Sequence, residues 1–367
     1  MKTELKNIGT WGKLHYDFLY CNQGPVINSM RLKGTLNEYL TGIDKDAEDM
    51  FNLIIKQTTE IKGVTEQLIA ADQMEWIRRI NSIRSRNMKT RIIIDSTADL
   101  TPEVKAKTTV VPLSVRFGDE EYIDGVTITH KEFYEKLVES DTLPSTSQAT
   151  PDAFLKVFEE VVNSGEKAVV ITIASKLSGT YQSAVIAAAD FADKIFVVDS
   201  KSTAIGTGIL VQLALELADS GMEAEKIAEV LEKEREKICL IAMLDTLEYL
   251  KKGGRISKTV AFAGGLLSIK PVIFVKDGEV IMLGKARGSK QGNNLLVSEI
   301  EKAGGVDFNM PVILGYTGLS DALLRKYVED SKELWAESEK ELNATCIGSV
   351  IGTHVGPGAI AAAFFKK

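Results

Sequence analysis

Histidine and cysteine are scarce in this 367-residue chain, with three of each. Cys21, Cys239 and Cys346 are odd in number and far apart, so they offer neither a disulfide framework nor a zinc spacing. His15, His130 and His354 form no HExxH pair, and a His/Cys metal site is not expected. No apolar run approaches the ~20 residues of a membrane helix. The opening stretch MKTELKNIGTWGKLHYD lacks the apolar core of a signal peptide. Together these absences predict a cytoplasmic protein with no transmembrane segment. There is no GxxxxGK[ST] loop, no strand-linked GxGxxG and no GxSxG elbow, so the commonest nucleotide signatures and one hydrolase signature are missing. An excess of positive charge is missing too. The net charge of −7 argues against wholesale nucleic-acid binding.

The remaining composition is that of a soluble globular protein, 44% hydrophobic and 26% charged. At about 150 residues per domain, the length predicts two or three domains. Residues 1–87 carry 12 basic and 11 acidic groups, net +1, whereas residues 88–367 carry 32 and 40, net −8. The first segment reads as helical. Leu36, Leu40, Ile43, Ala47, Met50 and Ile54 form one apolar seam at helical spacing. Lys62-Gly63 ends that helix, and Thr65 can cap a second whose face is Ile69, Trp76, Ile77, Ile80 and Ile83. The expected arrangement is a helical hairpin.

At Met88 the pattern changes to alternating strands and helices. Strands are expected at 91–95, 108–116, 167–173, 194–199, 238–243, 272–276, 279–284, 311–316 and 345–350. Helices are expected at 130–140, 151–164, 178–191, 202–219, 223–236, 289–303, 319–341 and 357–365. Such alternation predicts α/β units with largely parallel strands. Asp277-Gly278 between two apolar runs predicts a hairpin, hence some antiparallel sheet in the later half. The expected division is a helical segment over 1–87, a parallel α/β lobe over 88–245 and a mixed-sheet α/β lobe over 246–367.

The candidate chemistry is a set of hydroxyls at strand-to-helix turns: Asp95-Ser96-Thr97, Pro144-Ser145-Thr146-Ser147-Gln148, Ser178-Gly179-Thr180 and Asp199-Ser200. Ligands of open α/β sheets bind at the carboxyl ends of strands, where helix N-termini favour anions. Each of these residues is also a good helix N-cap, and that reading stays open. Gly179 permits a close backbone approach. Gly253-Gly254-Arg255 follows a short helix, where the glycine can be an ordinary C-cap and Arg255 a solvated charge. Arg287 lies just past a strand. His354 sits in Gly352-Thr353-His354-Val355-Gly356-Pro357-Gly358, read as a glycine-rich loop at a strand end.

Jointly, these words resemble the DegV family of bacterial fatty-acid-binding proteins. The matching segments are Ile94–Leu100, Pro144–Gln148, Ser178–Tyr181, Val198–Ser200, Leu250–Ile256, Ser268–Pro271 and Gly352–Gly358, in family order across residues 90–367. The resemblance implies two α/β lobes with one long-chain fatty acid between them and no other cofactor. It implies a lipid-binding carrier rather than an enzyme, which presents the acid to a separate fatty acid kinase that makes an acyl-phosphate for phospholipid synthesis. Carried over, Thr146, Ser147, Ser178, Gly179, Thr180 and His354 surround the carboxylate, and Arg255 and Arg287 lie near the pocket mouth or face the kinase. Parts of Val260–Ile269 are expected to line the tail tunnel. The resemblance also implies a histidine-containing stretch after strand 311–315, where this chain has Tyr316-Thr317-Gly318. Residues 1–87 resemble the transposon-encoded TnpV proteins, which suggests a mobile-element gene fused ahead of a carrier gene. Two alternatives are an enzyme acting on an acyl or phosphoryl anion with His354 as base, and a nucleic-acid adaptor using residues 64–91. The adaptor reading rests on the basic cluster Arg78, Arg79, Arg84, Arg86, Lys89 and Arg91.

Overall fold

The computed structural model describes Lys13, His15, Tyr16 and residues 24–61, 90–256, 269–338 and 342–367. They fall into two compact units. One takes in Met1–Thr90 with Glu159–Lys167 and Gly221–Glu223, the other Arg91–Phe158, Ala168–Ser220 and Ala224–Lys367. In the first unit, α1 (Gly24–Lys33) and α2 (Leu36–Ile61) are joined through Gly34, whose φ of 71° suits a residue with no Cβ. Leu36 and Leu40 of the expected seam are buried with Ile27 of α1. Helix α1 was not anticipated. The expected second helix, Thr65 and the basic cluster from Arg78 to Lys89 lie outside the described residues.

In chain order the rest comprises β1 (Thr90–Asp95), α3 (Pro102–Lys105), β2 (Thr109–Val111), β3 (Ser114–Phe117), β4 (Glu120–Ile123), α4 (His130–Glu139), β5 (Ser145–Ser147) and α5 (Pro151–Asn163). Then come β6 (Lys167–Thr172), α6 (Thr180–Ala188), β7 (Ile195–Asp199), α7 (Ala204–Asp219), α8 (Ala224–Glu234), β8 (Ile238–Met243), α9 (Glu248–Lys252), β9 (Ile269–Lys276) and β10 (Glu279–Arg287). The chain closes with α10 (Gly288–Lys302), β11 (Ile313–Tyr316), α11 (Ala322–Asp330), α12 (Lys332–Trp335), β12 (Asn343–Cys346), α13 (Ser349–Val355) and β13 (Ile360–Phe365). Among the described residues no helix is long and apolar enough to cross a membrane.

Three sheets result. The first has the order β2-β1-β6-β7, with β1 parallel to β2 and β6 parallel to β7. The second is mixed, in the order β10-β9-β8-β13-β11-β12, and its β9–β10 hairpin turns at Asp277-Gly278 as expected. The third, β4-β3-β5, is small and antiparallel. Strand β8 belongs to the mixed sheet, so the change between the two main sheets comes before Ile238 rather than near residue 245.

Several elements differ from expectation, each for a local reason. Pro112 and Leu113 break the run 108–116 into β2 and β3. The helix expected over 319–341 is interrupted at Ser331, whose hydroxyl donates to the Tyr327 carbonyl and accepts from the Trp335 indole at 3.0 Å. The strand expected over 345–350 ends at Cys346, and Ser349 opens α13 instead. The Asp99 carboxylate accepts from the Gly348 N–H at 2.8 Å, so one of the free N–H groups at that helix start is satisfied. Burial holds the Asp99 carboxyl well above its usual range. The largest correction is 357–365, expected to be helical. Gly356 and Gly358, at φ 76° and 78°, turn the chain through Pro357 into β13.

Strand β13 lies in the middle of the mixed sheet, between β8 and β11. Side chains alternate across it. Ile360, Ala362 and Phe364 point into a core with Leu296 and Ile300 of α10, Leu324 and Tyr327 of α11 and Trp335 of α12. On the other face Ala361 stands opposite both Ala242 of β8 and Gly315 of β11. Three of the smallest side chains therefore lie in one row across the three central strands. Phe364→Ala should cost about 3–5 kcal/mol, because it empties a packed core site. Urea unfolding should show a lower midpoint with an unchanged slope. Ala361→Val, facing the other way, should cost under about 1.5 kcal/mol.

Candidate functional site

The face of the mixed sheet that carries Ala242, Ala361 and Gly315 forms one wall of a cavity of about 400 Å³. That size lies within the ~300–1,000 Å³ of small-molecule sites. The row of small residues makes room where Leu or Ile would fill it. Leu240, two residues from Ala242 on β8, and Ile273 and Val275 of β9 flank the row, and Val350 and Ile351 of α13 face the same space. Much of the wall is apolar. Among the described lining residues there is no carboxylate, and Arg255 is the one ionised side chain.

A polar rim closes on itself around the opening. Thr146 Oγ1 lies 2.9 Å from His354 Nε2. His354 packs against Gly253, where a Cβ would come within 2.2 Å of Nδ1. Arg255 donates from Nη1 to the Gly253 carbonyl at 2.6 Å and from Nε to the Leu177 carbonyl at 3.3 Å. Ser178 follows Leu177, and its hydroxyl lies 2.9 Å from that of Thr180. The Gln148 side chain, two residues beyond Thr146, lies over Gly179. Elements far apart in sequence, β5, the start of α6, the end of α9 and α13, are thus linked by a ring of short contacts.

His354 lies in the last turn of a helix, not in the glycine-rich loop expected of it. Glycine is needed around it for space: at Gly253 against its ring, and at Gly356 where a Cβ would come within 2.4 Å of Tyr249. Burial, and secondarily the nearby Arg255 charge, push the His354 imidazole down to about 4. It is therefore neutral at physiological pH. Its Nδ1 is buried without a hydrogen-bond partner among the described residues.

The structure brings Thr146, Ser147, Ser178, Gly179, Arg255 and His354 to the cavity. It does not bring Thr180 there. Thr180 is fully buried and reaches the cavity only through Ser178. Arg287 is not among the lining residues. It ends β10, where its backbone N–H donates to the Gln291 side chain at 3.1 Å. Residues 260–268 of the expected tail-lining stretch lie outside the described residues, and Ile269 is not on the wall. Tyr316 and Thr317 border the cavity, and the Thr317 hydroxyl accepts from the Ala359 N–H at 2.8 Å. Gln148 was missed as a site residue, although its two-residue spacing from Thr146 on an extended chain places both on one side. Of the small residues on that wall, Ala361 was missed because the strand that carries it reads as helix. Among the described residues no group of His, Cys, Asp and Glu could hold a metal ion.

Comparison with known proteins agrees with this architecture. Residues 89–367 match the family model described as "Uncharacterised protein, DegV family COG1307", and residues 1–93 match that of the transposon-encoded protein TnpV. A DegV domain-containing protein of Caldanaerobacter subterraneus subsp. tengcongensis is 37% identical over 290 residues, covering 76% of this chain and 99% of that protein. The structure of a fatty-acid-binding DegV family protein from Thermus thermophilus is similar at a TM-score of 0.69 and 30% identity, over 76% of this chain and all of that one. A Streptococcus pneumoniae fatty acid kinase B3 protein loaded with linoleic acid is similar at a TM-score of 0.66 and 25% identity, over 76% and 100% of the two chains. With a family model spanning three quarters of its length and a relative matched almost end to end, this chain belongs to the DegV family.

Proposed function

We propose that the cavity holds one long-chain fatty acid, with its carboxylate at the polar rim and its tail along the floor of Ala242, Ala361 and Gly315. The observation that carries this reading is a largely apolar cavity in whose lining Thr146, Ser178, Arg255 and His354 belong to one chain of short contacts. The similar proteins with bound fatty acids support it. Each buried CH₂ contributes about 0.8 kcal/mol, so the tail supplies most of the affinity. A buried carboxylate is costly unless hydrogen-bonded, and Thr146, Ser147 and Ser178 offer neutral donors. With its proton on Nε2, His354 donates to Thr146 Oγ1 and leaves the Thr146 hydroxyl proton for the carboxylate. That tautomer is the one consistent with such an acid. Arg255, exposed at the rim, adds a positive charge without burying an ion pair.

In this reading the chain is a carrier rather than a catalyst. Phosphorylation of the carboxylate to an acyl-phosphate belongs to a partner fatty acid kinase, which meets the rim at Arg255. The name of the Streptococcus pneumoniae relative supports the pairing. Arg287, set apart from the cavity, could serve only at such an outer contact.

Native mass spectrometry of the purified full chain should show one fatty acid per chain, identified after extraction. Ser178→Ala should weaken retention about 10- to 100-fold, the worth of a hydrogen bond to a charged group. A protein that is empty and takes up no added fatty acid would refute the reading. A second expectation concerns His354. Its folded value near 4 lies below the ordinary 6.5. Between those values the unfolded chain binds a proton that the folded chain does not. Stability is therefore fully present above about pH 6.5 and is lost as pH falls towards 4, by up to about 3 kcal/mol from this group. Denaturant unfolding from pH 7 to pH 4.5 should show that slope reduced in His354→Asn. His130, shifted in the same direction, is common to both proteins and cancels in the difference.

A further inference from the structure

Thr146 and Ser178 stand on separate elements, and neither has a hydrogen bond to the other. Thr146 is on β5, the edge strand of the small antiparallel sheet, paired to Val115 of β3. Ser178 is in the turn between β6 and α6. A carboxylate that accepts from both hydroxyls needs them at a fixed separation, since a hydrogen bond weakens steeply with distance and angle. Nothing in the pairing of either sheet sets that separation. Besides the longer route through His354, Gly253 and Arg255, one direct side-chain hydrogen bond among the described residues crosses from the chain end of β5 to α6. Gln148 donates from Nε2 to the Ser183 hydroxyl of α6 at 2.9 Å. Its amide lies on the Cα of Gly179, where a Cβ would fall 2.1 Å from Oε1, 2.8 Å from Cδ and 3.0 Å from Nε2. The whole amide plane therefore rests on the glycine. Gly179 has φ −71° and ψ 1°, a conformation open to other residues. Space for Gln148 makes glycine necessary there, not backbone freedom. Ser183 is 1% exposed, so loss of Gln148 would leave a buried hydroxyl unpaired.

We propose that Gln148 is a positioning residue: it clamps the Ser178–Thr180 turn to the Thr146 strand and so sets the spacing of the two hydroxyls that receive the carboxylate. The proposal rests on the fatty-acid reading of the cavity and says which residue makes its head-group site rigid. Gly179 then acts through Gln148. The two should behave as one unit, with strongly non-additive substitutions.

The test measures the affinity of the full chain for palmitic acid and for hexadecanol, which has the same tail and no carboxylate. Wild type, Gln148→Ala, Gly179→Ala and the double variant are compared, with circular dichroism as a control for folding. Gln148→Ala should weaken palmitic acid about fivefold, the worth of one net hydrogen bond, and leave hexadecanol unchanged. Gly179→Ala should weaken the acid at least as much alone, but add little in the Gln148→Ala background, where the colliding amide is gone. Equal weakening of acid and alcohol by Gln148→Ala would mean general structural damage and would overturn the proposal. So would an unchanged acid affinity, or a Gly179→Ala cost that is the same in both backgrounds, which would mean that the ligand itself needs the glycine. Wild type that binds neither compound would instead refute the fatty-acid reading on which the proposal stands.

Discussion

The alternation of side chains across the mixed sheet is the constraint on which the site depends. Every residue of a central strand serves one face only. Ile360, Ala362 and Phe364 anchor β13 against the helices behind it. That anchoring holds the intervening residues in place although they have little to pack against. Ala361, Ala242 and Gly315 can then be small without the sheet collapsing inward. An apolar wall without packing partners loses dispersion contacts, and this is a standing cost to the folded state. On the proposed reading a bound tail would supply those contacts, and the bound form would gain stability with ligand concentration.

On the proposed reading the rim also meets a second problem, the desolvation of an anion. A buried ion pair would satisfy a carboxylate but at a large desolvation cost to both partners, and it would slow release. The rim instead gathers hydroxyls and an imidazole that burial keeps neutral. The one cation, Arg255, stays on the outer side, fixed by the carbonyls of Gly253 and Leu177. Those two bonds matter because they leave the guanidinium charge unneutralised: among the described residues it has no acidic partner. A charge held so, beside the opening, attracts an anion towards the rim without trapping it there.

The order of strands and helices from Met88 onward was legible because parallel strands buried on both faces read as β-branched runs, and β1 and β6 keep nearly the expected bounds. The site hydroxyls were legible as turn residues, but their meaning came from the joint pattern of words and not from any one of them. What failed was of one kind. The stretch 357–365 is alanine-rich because its side chains line a cavity and a tightly packed sheet, and local helix propensity carries no trace of either demand. The same holds for α13: Ser349 to Val355 fold as a helix through contacts from far along the chain, including Asp99 at Gly348 and the Tyr134 hydroxyl on the Ile347 carbonyl. Strand β8 follows the parallel strands in sequence yet pairs antiparallel with β9 and β13. Sheet membership is decided by pairing partners that lie later in the chain.

The division of the chain also bears on which residues the carrier reading needs. All the described residues that line the cavity lie between Leu113 and Ala361, inside the DegV match at 89–367 and the second compact unit. The TnpV match at 1–93 overlaps the DegV match only around the start of β1. The two parts differ in charge as well, +1 before Met88 and −8 from it onward. The ring of contacts from Thr146 through His354, Gly253, Arg255 and Leu177 back to Gln148 is complete within the second unit. Among the described residues, those that line the cavity include none of the first 87.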